Sequence, residues 1–233
     1  MVKIKPIECS QCEGRHKSIF RDLYAAELKE MECSKRIIHS KKSEIIFEEN
    51  APVRGLYCIK SGKVKLTRLG LNGKEVVVKF AEAGNVLGYR AAVEDGRYTN
   101  TAEATEATEL CFIPKETFSS LVKENPKVAT QIIQLYASEL KCLEVKSKNT
   151  TQLPVKERMC GSLLNLIEDF GFEKDGCTMN IIISRKDLAD YTGTTRETIS
   201  RIISELKKDN IIALKGKKII ILRHDLLLRE ANN

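Results

Sequence analysis

The segment that most constrains this chain lies near its C-terminus, where two short amphipathic runs meet at one glycine, Gly193. Ser184 can cap a helix over 184–191, with Asp187 three residues on to favour the first-turn dipole. Ala189 is small where two helices would cross closely. Gly193 suits a turn that needs positive φ. Thr195 can cap a second helix over 195–208. On that helix Ile199, Ile202, Ile203 and Leu206 share one face, which leaves Arg196, Glu197, Ser200 and Arg201 outward on the N-terminal half. Two strands, NIIAL and KKIIIL, follow around Gly216 and carry Lys215 and Lys217 near their turn. A helix-turn-helix followed by a β-hairpin is the winged-helix pattern. Its second helix presents a half that could enter a major groove, where Arg can bridge guanine O6 and N7 and Glu can accept from cytosine. The competing reading is an ordinary helical hairpin with surface charges.

Upstream the periodicity changes twice. Residues 1–18 read as a polar, loop-like segment, and 19–33 show helical spacing through Ile19, Leu23, Ala26 and Met31. From 37 to 113 short β-rich runs (EIIF, GLYCI, KVKLT, EVVVKF, ELCFIP) alternate with turn signals, and Asn72-Gly73 marks a hairpin. Strands at this spacing predict an antiparallel roll. KETFSSLVKE then reads as a short helix, and Asn125-Pro126 opens a long one. Along it Ala129, Ile133, Tyr136, Leu140, Leu143 and Ser147 alternate by four and three, a heptad seam. The seam is read as a homodimer interface, against packing on the chain's own roll. Asn149–Pro154 reads as a hinge, 155–170 as an amphipathic helix, and TMNIII as a short strand. The fold class is therefore α+β, in four stretches. They are a cysteine-containing segment 1–18, a sensor β-roll with flanking helices 19–125, a dimerisation helix and hinge 126–152, and a winged helix-turn-helix 153–233.

Composition limits the alternatives. At 42% hydrophobic and 30% charged, with 13 Gly and 5 Pro, the 233-residue chain is neither disordered nor collagen-like. No apolar run approaches membrane-spanning length, and the N-terminus lacks a secretory apolar region, so the expected location is the cytoplasm. Eight cysteines there are not a disulfide framework. The net charge is +7, and residues 184–218 alone carry +4, compatible with a phosphate footprint on double-stranded DNA.

The order roll, long helix, hinge and winged helix, with TTRETISRIISEL, resembles the Crp/Fnr superfamily of bacterial transcription regulators, from about residue 19 to about 222. The resemblance implies a homodimer on a palindromic operator, with RNA polymerase as a further partner. Arg196, Glu197 and Arg201 match the base-reading triplet of the cyclic-AMP-binding members, and Glu197, Ser200 and Arg201 that of the oxygen-sensing members. Arg185, Thr194 and Thr195 complete the expected DNA-contacting set, with Lys215 and Lys217 on the wing. A half-site like TGTGA or TTGA is implied.

The roll departs from the cyclic-AMP cassette. Gly88-Tyr89 stands where that branch has Gly-Glu, Arg97-Tyr98-Thr99 offers no Arg-Ser pair, and Leu143-Glu144 replaces the helix's Thr-Ser. Cyclic AMP is thus not the expected effector. Another small molecule or anion at Gly88, Tyr89, Arg90, Tyr98 and Thr99 remains open beside a filled roll. Cys9, Cys12 and Cys111 match three ligands of the oxygen-sensing members' iron–sulfur cluster, whereas the remaining N-terminal ligand position falls near Ser18. A fourth ligand would be His16, Cys33 or an external thiol. Zinc, reversible thiol oxidation and free thiols compete with the cluster, and Cys58, Cys142, Cys160 and Cys177 read as core or incidental. The functional expectation is a DNA-binding transcription regulator with an effector or redox sensor. A ligand-binding module docking a protein is the alternative, and it leaves Arg196, Glu197 and Arg201 unexplained. No nucleophile–base set or phosphate loop suggests an enzyme, and Cys9-Cys12 lacks the βαβ setting of a thiol oxidoreductase.

Overall fold

Cross-strand pairing between two segments distant in the sequence organises the roll. In the computed structural model, which describes residues 9–70, 73–94 and 96–231, strand β3 (Gly55–Ser61) runs antiparallel to β8 (Thr108–Pro114). Leu56 lies opposite Ile113, Cys58 opposite Cys111, and Ile59 opposite Leu110. Side chains alternate between faces along a strand. Ile59 and Leu110 therefore enter an inner core with Phe47, Val64, Ala81, Leu87 and Ala102. Leu56 and Ile113 enter an outer core with Phe20, Met31, Phe118, Leu121, Val128 and Ile132, against which Cys58 packs. Among the described residues the sheets are ordered β1 (Arg36–Ser40), β8, β3, β6 (Val86–Leu87), and β2 (Ile45–Phe47), β7 (Thr101–Ala104), β4 (Lys63–Leu69), β5 (Glu75–Glu82). The hairpin residue Asn72 lies outside the described residues. Gly73, beside it, has φ +74° and donates to the Gly70 carbonyl at 2.9 Å.

Helices cover the outer face. α2 spans Ala25–Ser34, later than the helix expected over 19–33. The delay has a local cause: the Glu27 carboxylate accepts the Tyr24 N–H at 2.6 Å and starts the helix there, while Ile19, Phe20 and Leu23 reach the core from turns. α4 (Lys115–Glu124) follows β8 directly, and α5 (Pro126–Gln152) begins where Asn125 Oδ1 accepts the Lys127 N–H at 2.9 Å. A short helix α3 (Tyr89–Glu94) gave no sequence signal.

The segment before α2 is not a loose arm. It forms a 3₁₀ turn at Cys9–Gln11 and a one-turn helix α1 at Glu13–His16. Arg15 donates through Nε to the Cys9 carbonyl (3.0 Å) and through the guanidinium to the Arg21 carbonyl (2.9 Å). Gly14 lies on the turn at Gly84, and each leaves the other little room for a side chain. A Cβ on Gly14 would meet Gly84 N at 3.0 Å, and one on Gly84, whose φ is +96°, would meet the Gly14 carbonyl oxygen at 3.0 Å.

Contacts divide the chain into two compact units, the first running through Lys141 except for Glu75–Val77, the second holding that piece and the chain from Cys142. The division falls inside α5, above the break at Leu153-Pro154 where the helix ends. In the second unit the Lys146 ammonium sits 4.6 Å from the Tyr191 ring centroid, tying the end of α5 to that unit. α6 (Val155–Phe170) buries Met159, Leu163 and Leu166. The expected strand TMNIII is only a pair of isolated bridges, Phe172 to Met179 and Thr178 to Ile220. β9 (Ile212–Lys215) pairs with β10 (Lys218–Ile221), and a last helix, His224–Glu230, closes the described chain.

Gly84→Ala is expected to cost about 1–3 kcal/mol, since it combines positive φ with a backbone clash. Urea unfolding measures the loss, and limited proteolysis should show cleavage appearing between residues 9 and 24.

Candidate nucleic-acid interface and sensor site

Both helices of the DNA-reading motif are capped by their own side chains. Ser184 Oγ accepts the Asp187 N–H (3.0 Å) ahead of α7 (Arg185–Thr192), and Thr195 Oγ1 accepts the Thr198 N–H (3.2 Å) ahead of α8 (Arg196–Lys208). Gly193 takes φ +75° and the Thr194 N–H reaches back to the Ala189 carbonyl at 3.0 Å, so the turn satisfies carbonyls that α7 leaves open. Ile199, Ile202, Ile203 and Leu206 are buried. Their burial fixes the rotation of α8, and Arg196, Glu197, Ser200 and Arg201 stand exposed on the opposite side. Arg201 donates to Glu205 at 2.9 Å across one helical turn. An exposed pair of this kind contributes only ~0.3–0.5 kcal/mol, so it orients the guanidinium without withholding it. The Ser200 hydroxyl donates to the Arg196 carbonyl at 2.8 Å.

Around this face Arg185 and Thr194 are half-buried and Thr195 is exposed, while Lys215 and Lys217 flank Gly216 (φ +61°) in the wing turn. One supporting residue gave no sequence signal. Arg158 of α6 donates to the Gly193 carbonyl at 3.2 Å and to the Leu153 carbonyl at 3.0 Å, bracing the helix-turn-helix from behind. Its partners lie 35 and five positions away along the chain, so no spacing rule could have found it.

On α5, the seam residues divide. Ile133, Leu140 and Leu143 are 67%, 59% and 54% exposed, an unpartnered apolar row. Tyr136 instead turns toward its own roll, edge-on to Tyr89 with centroids 5.5 Å apart. Val128 and Ile132 supply a second apolar face, packed on the roll.

The five residues expected around an effector have different partners. Tyr98 is 4% exposed, stacks on Phe47 with centroids 4.1 Å apart, and donates to the Gly55 carbonyl at 2.7 Å. Its ring lies where a Cβ on Gly88 would go, 2.7 Å from it. Thr99 Oγ1 accepts from the Asn100 amide at 3.2 Å. Tyr89 and Arg90 both donate to the Glu139 carboxylate of α5, which Lys79 also reaches at 2.8 Å. Burial alone would raise the Glu139 pKa. Lys79, Tyr89 and Arg90 outweigh it and hold the carboxyl down at about 2. The arginine expected to meet an anion therefore already holds one from its own chain.

The thiols do converge. Cys9, Cys12 and Cys111 line one cavity of about 40 Å³, and Cys58 lines it with them. Cys9, expected in a region poor in core contacts, is 7% exposed and belongs to the outer core. Its sulfur accepts from Lys35 Nζ at 3.0 Å. Arg15 and Lys60 also line the cavity, Lys60 while paired with Glu109 at 2.6 Å. Burial pushes the Cys9, Cys58 and Cys111 thiols up, with Lys35 working against it at each. The alternatives named for a fourth ligand lie elsewhere: His16 and Cys33 are exposed. Ser18 is buried and holds a turn, donating to the Arg15 carbonyl (2.8 Å) and accepting the Phe20 N–H (3.1 Å). Among the described residues no group of three or more His, Cys, Asp or Glu side chains is arranged to hold a single metal ion. The four thiols surround a space instead of closing on a point.

A β-roll with a thiol-lined outer face, followed by a long helix and a winged helix-turn-helix, defines a DNA-binding regulator with an N-terminal sensing domain. Comparison with known proteins agrees. Residues 37–125 match the cyclic nucleotide-binding domain family and residues 157–230 the Crp-like helix-turn-helix domain family. The fumarate and nitrate reduction regulatory protein of Vibrio cholerae is 31% identical over 97% of this chain and 90% of its own length. The anaerobic regulatory protein of Pasteurella multocida is 28% identical over 92% of this chain and 79% of its own. Among solved structures, FixK2 from Bradyrhizobium japonicum superposes with a TM-score of 0.74 at 25% identity, covering 84% of this chain and 96% of that one. The chain belongs to the Crp/Fnr family of transcription regulators. No helix among the described residues is long and apolar enough to cross a membrane.

Two outcomes follow. Thr195→Ala removes the cap of α8 and should cost about 1 kcal/mol in thermal or urea unfolding of the C-terminal unit. Glu139→Gln should cost about 1–2 kcal/mol at pH 7, because the carboxylate loses its charge-assisted bonds while Lys79 and Arg90, 42% and 37% exposed, rehydrate in part. The depressed carboxyl pKa means that its contribution is complete at neutral pH and drains as pH falls from about 5 toward about 2. Urea titrations at pH 7 and pH 3 should therefore show the variant's deficit shrinking at the lower pH.

Proposed function

We propose that this chain acts as a homodimer joined along Ile133, Leu140 and Leu143, and reads an inverted-repeat operator through Arg196, Glu197 and Arg201. The observation that carries this is the rotation of α8: with its four isoleucine and leucine side chains buried, the reading residues can face only outward. Arg196 and Arg201 suit guanine, and Glu197 the cytosine amino group. A two-fold axis would set the two recognition helices about one turn of DNA apart, ~34 Å, with half-sites about 10 base pairs centre to centre. TGTGA and TTGA are the first half-sites to try. As a member of this family the dimer is expected to act on RNA polymerase at its promoters.

The sensing chemistry we infer is that of an iron–sulfur cluster on the outer face of the roll, held by Cys9, Cys12 and Cys111. Their shared cavity supports this, as do the basic residues that line it and would offset thiolate charge. The name of the Pasteurella multocida relative, an anaerobic regulatory protein, points the same way. Such a cluster supplies oxygen-labile chemistry when bound. The chain's own part is to cover the thiols with the docked segment from Cys9 to Lys17, and to hold Lys35 against Cys9. The filled interior at Tyr98 and Gly88 supports an effector other than cyclic AMP.

Selection from random DNA should return a palindrome. Arg201→Ala should cost roughly 1–3 kcal/mol and relax preference at one base pair, whereas Lys215→Ala and Lys217→Ala should weaken all sequences alike and flatten the salt dependence. Undiminished specificity in the Arg201 variant would rule the assignment out. Leu140→Asp should shift the protein to monomer in sedimentation, and an unchanged dimer would reject the seam.

A further inference from the structure

We infer that Cys58, in the middle of strand β3, is the fourth thiolate of the metal site, completing a Cys9, Cys12, Cys58 and Cys111 set for an iron–sulfur cluster. The inference rests on the cluster reading above and adds a ligand drawn from the sheet itself. Three observations carry it. Cys58 and Cys111 are direct cross-strand partners, so their side chains leave the same face of the roll. That face is the outer one, and the docked segment lays Cys9 and Cys12 over it, so that all four line one cavity. The surroundings suit anionic sulfur: Lys35 donates to Cys9, and Arg15 lines the same space with its guanidinium anchored on backbone carbonyls.

Iron–sulfur clusters are commonly held by four cysteine thiolates. The N-terminal segment of this chain brings only two, because Ser18 is engaged in a turn through both its donor and its acceptor. Four thiols standing around a cavity suit a cluster, whose irons are separate corners, better than one ion. Coordination is ligand exchange on the cluster irons: each thiol gives its proton to solvent as its sulfur displaces a solvent or small-thiol ligand from iron, with no change in the oxidation state of sulfur or iron.

The test is anaerobic reconstitution of the full-length protein with ferrous iron and sulfide, read by iron and acid-labile sulfide content and the visible and Mössbauer spectra. Wild type should take up iron and sulfide in equal amounts. Cys58→Ser and Cys58→Ala should each lose more than half of that content, or show one spectroscopically altered iron site, while Cys142→Ser on exposed α5 should match wild type. Far-UV circular dichroism and urea unfolding confirm that the variants are folded. On unaltered wild type, alkylation in mild urea should spare Cys58 when iron is bound and modify it after chelation. Wild-type content and spectra in both Cys58 variants, or equal alkylation of Cys58 with and without iron, would overturn the inference and leave a three-cysteine cluster standing. A wild-type protein that takes up neither iron nor sulfide would remove the cluster reading itself.

Discussion

The antiparallel register of β3 on β8 decides more of this molecule than any other interaction. It joins strands distant in the sequence, and a slip by one position would put the slipped strand's side chains on the wrong face. Held as it is, it sends Ile59 and Leu110 inward and Leu56 and Ile113 outward, so the roll acquires two cores. The outer one is where α2, α4 and the start of α5 settle, through Met31, Phe118, Leu121, Val128 and Ile132. The thiols of Cys58 and Cys111 are a by-product of the same alternation, set side by side on the face that the N-terminal segment covers.

What could be read from sequence follows from range. α7, its turn and α8 were legible because caps, a left-handed glycine and an apolar stripe are relations between residues three or four apart. Ser184 with Asp187, Gly193, and Ile199 with Ile203 fall where those rules put them. α4 and α6 were legible for the same reason. Relations across the fold were not. Glu139 gathers Lys79, Tyr89 and Arg90 from two other elements, and no local pattern announces it. Cys58 read as incidental because its partner is a strand register. Tyr98 read as a pocket residue although it fills the roll.

α5 shows how one helix can mislead by half. Its heptad spacing is real, and Ile133, Leu140 and Leu143 stand in the open as a seam should. Yet Val128 and Ile132 form a second stripe on the same helix, and Tyr136, between the two, is drawn inward to Tyr89. Self-packing accounts for the face that carries Val128 and Ile132, and the face that carries Ile133, Leu140 and Leu143 is the one left for the proposed seam. The first-unit end of the helix is anchored by its own roll, while its far end belongs to the second unit.

The approach of Gly14 to Gly84 has an evolutionary consequence. Each residue leaves the other only a tight space for a Cβ, 3.0 Å from backbone. In most packed pairs a larger side chain on one side can be compensated by a smaller one on the other. Here both partners are already at the smallest residue, so neither substitution has a compensating one at the facing position. Escape would require the whole cover to lift from the sheet. Such a pair drifts only by abandoning the contact altogether, and a lineage that kept the covered face would carry both glycines as a locked unit.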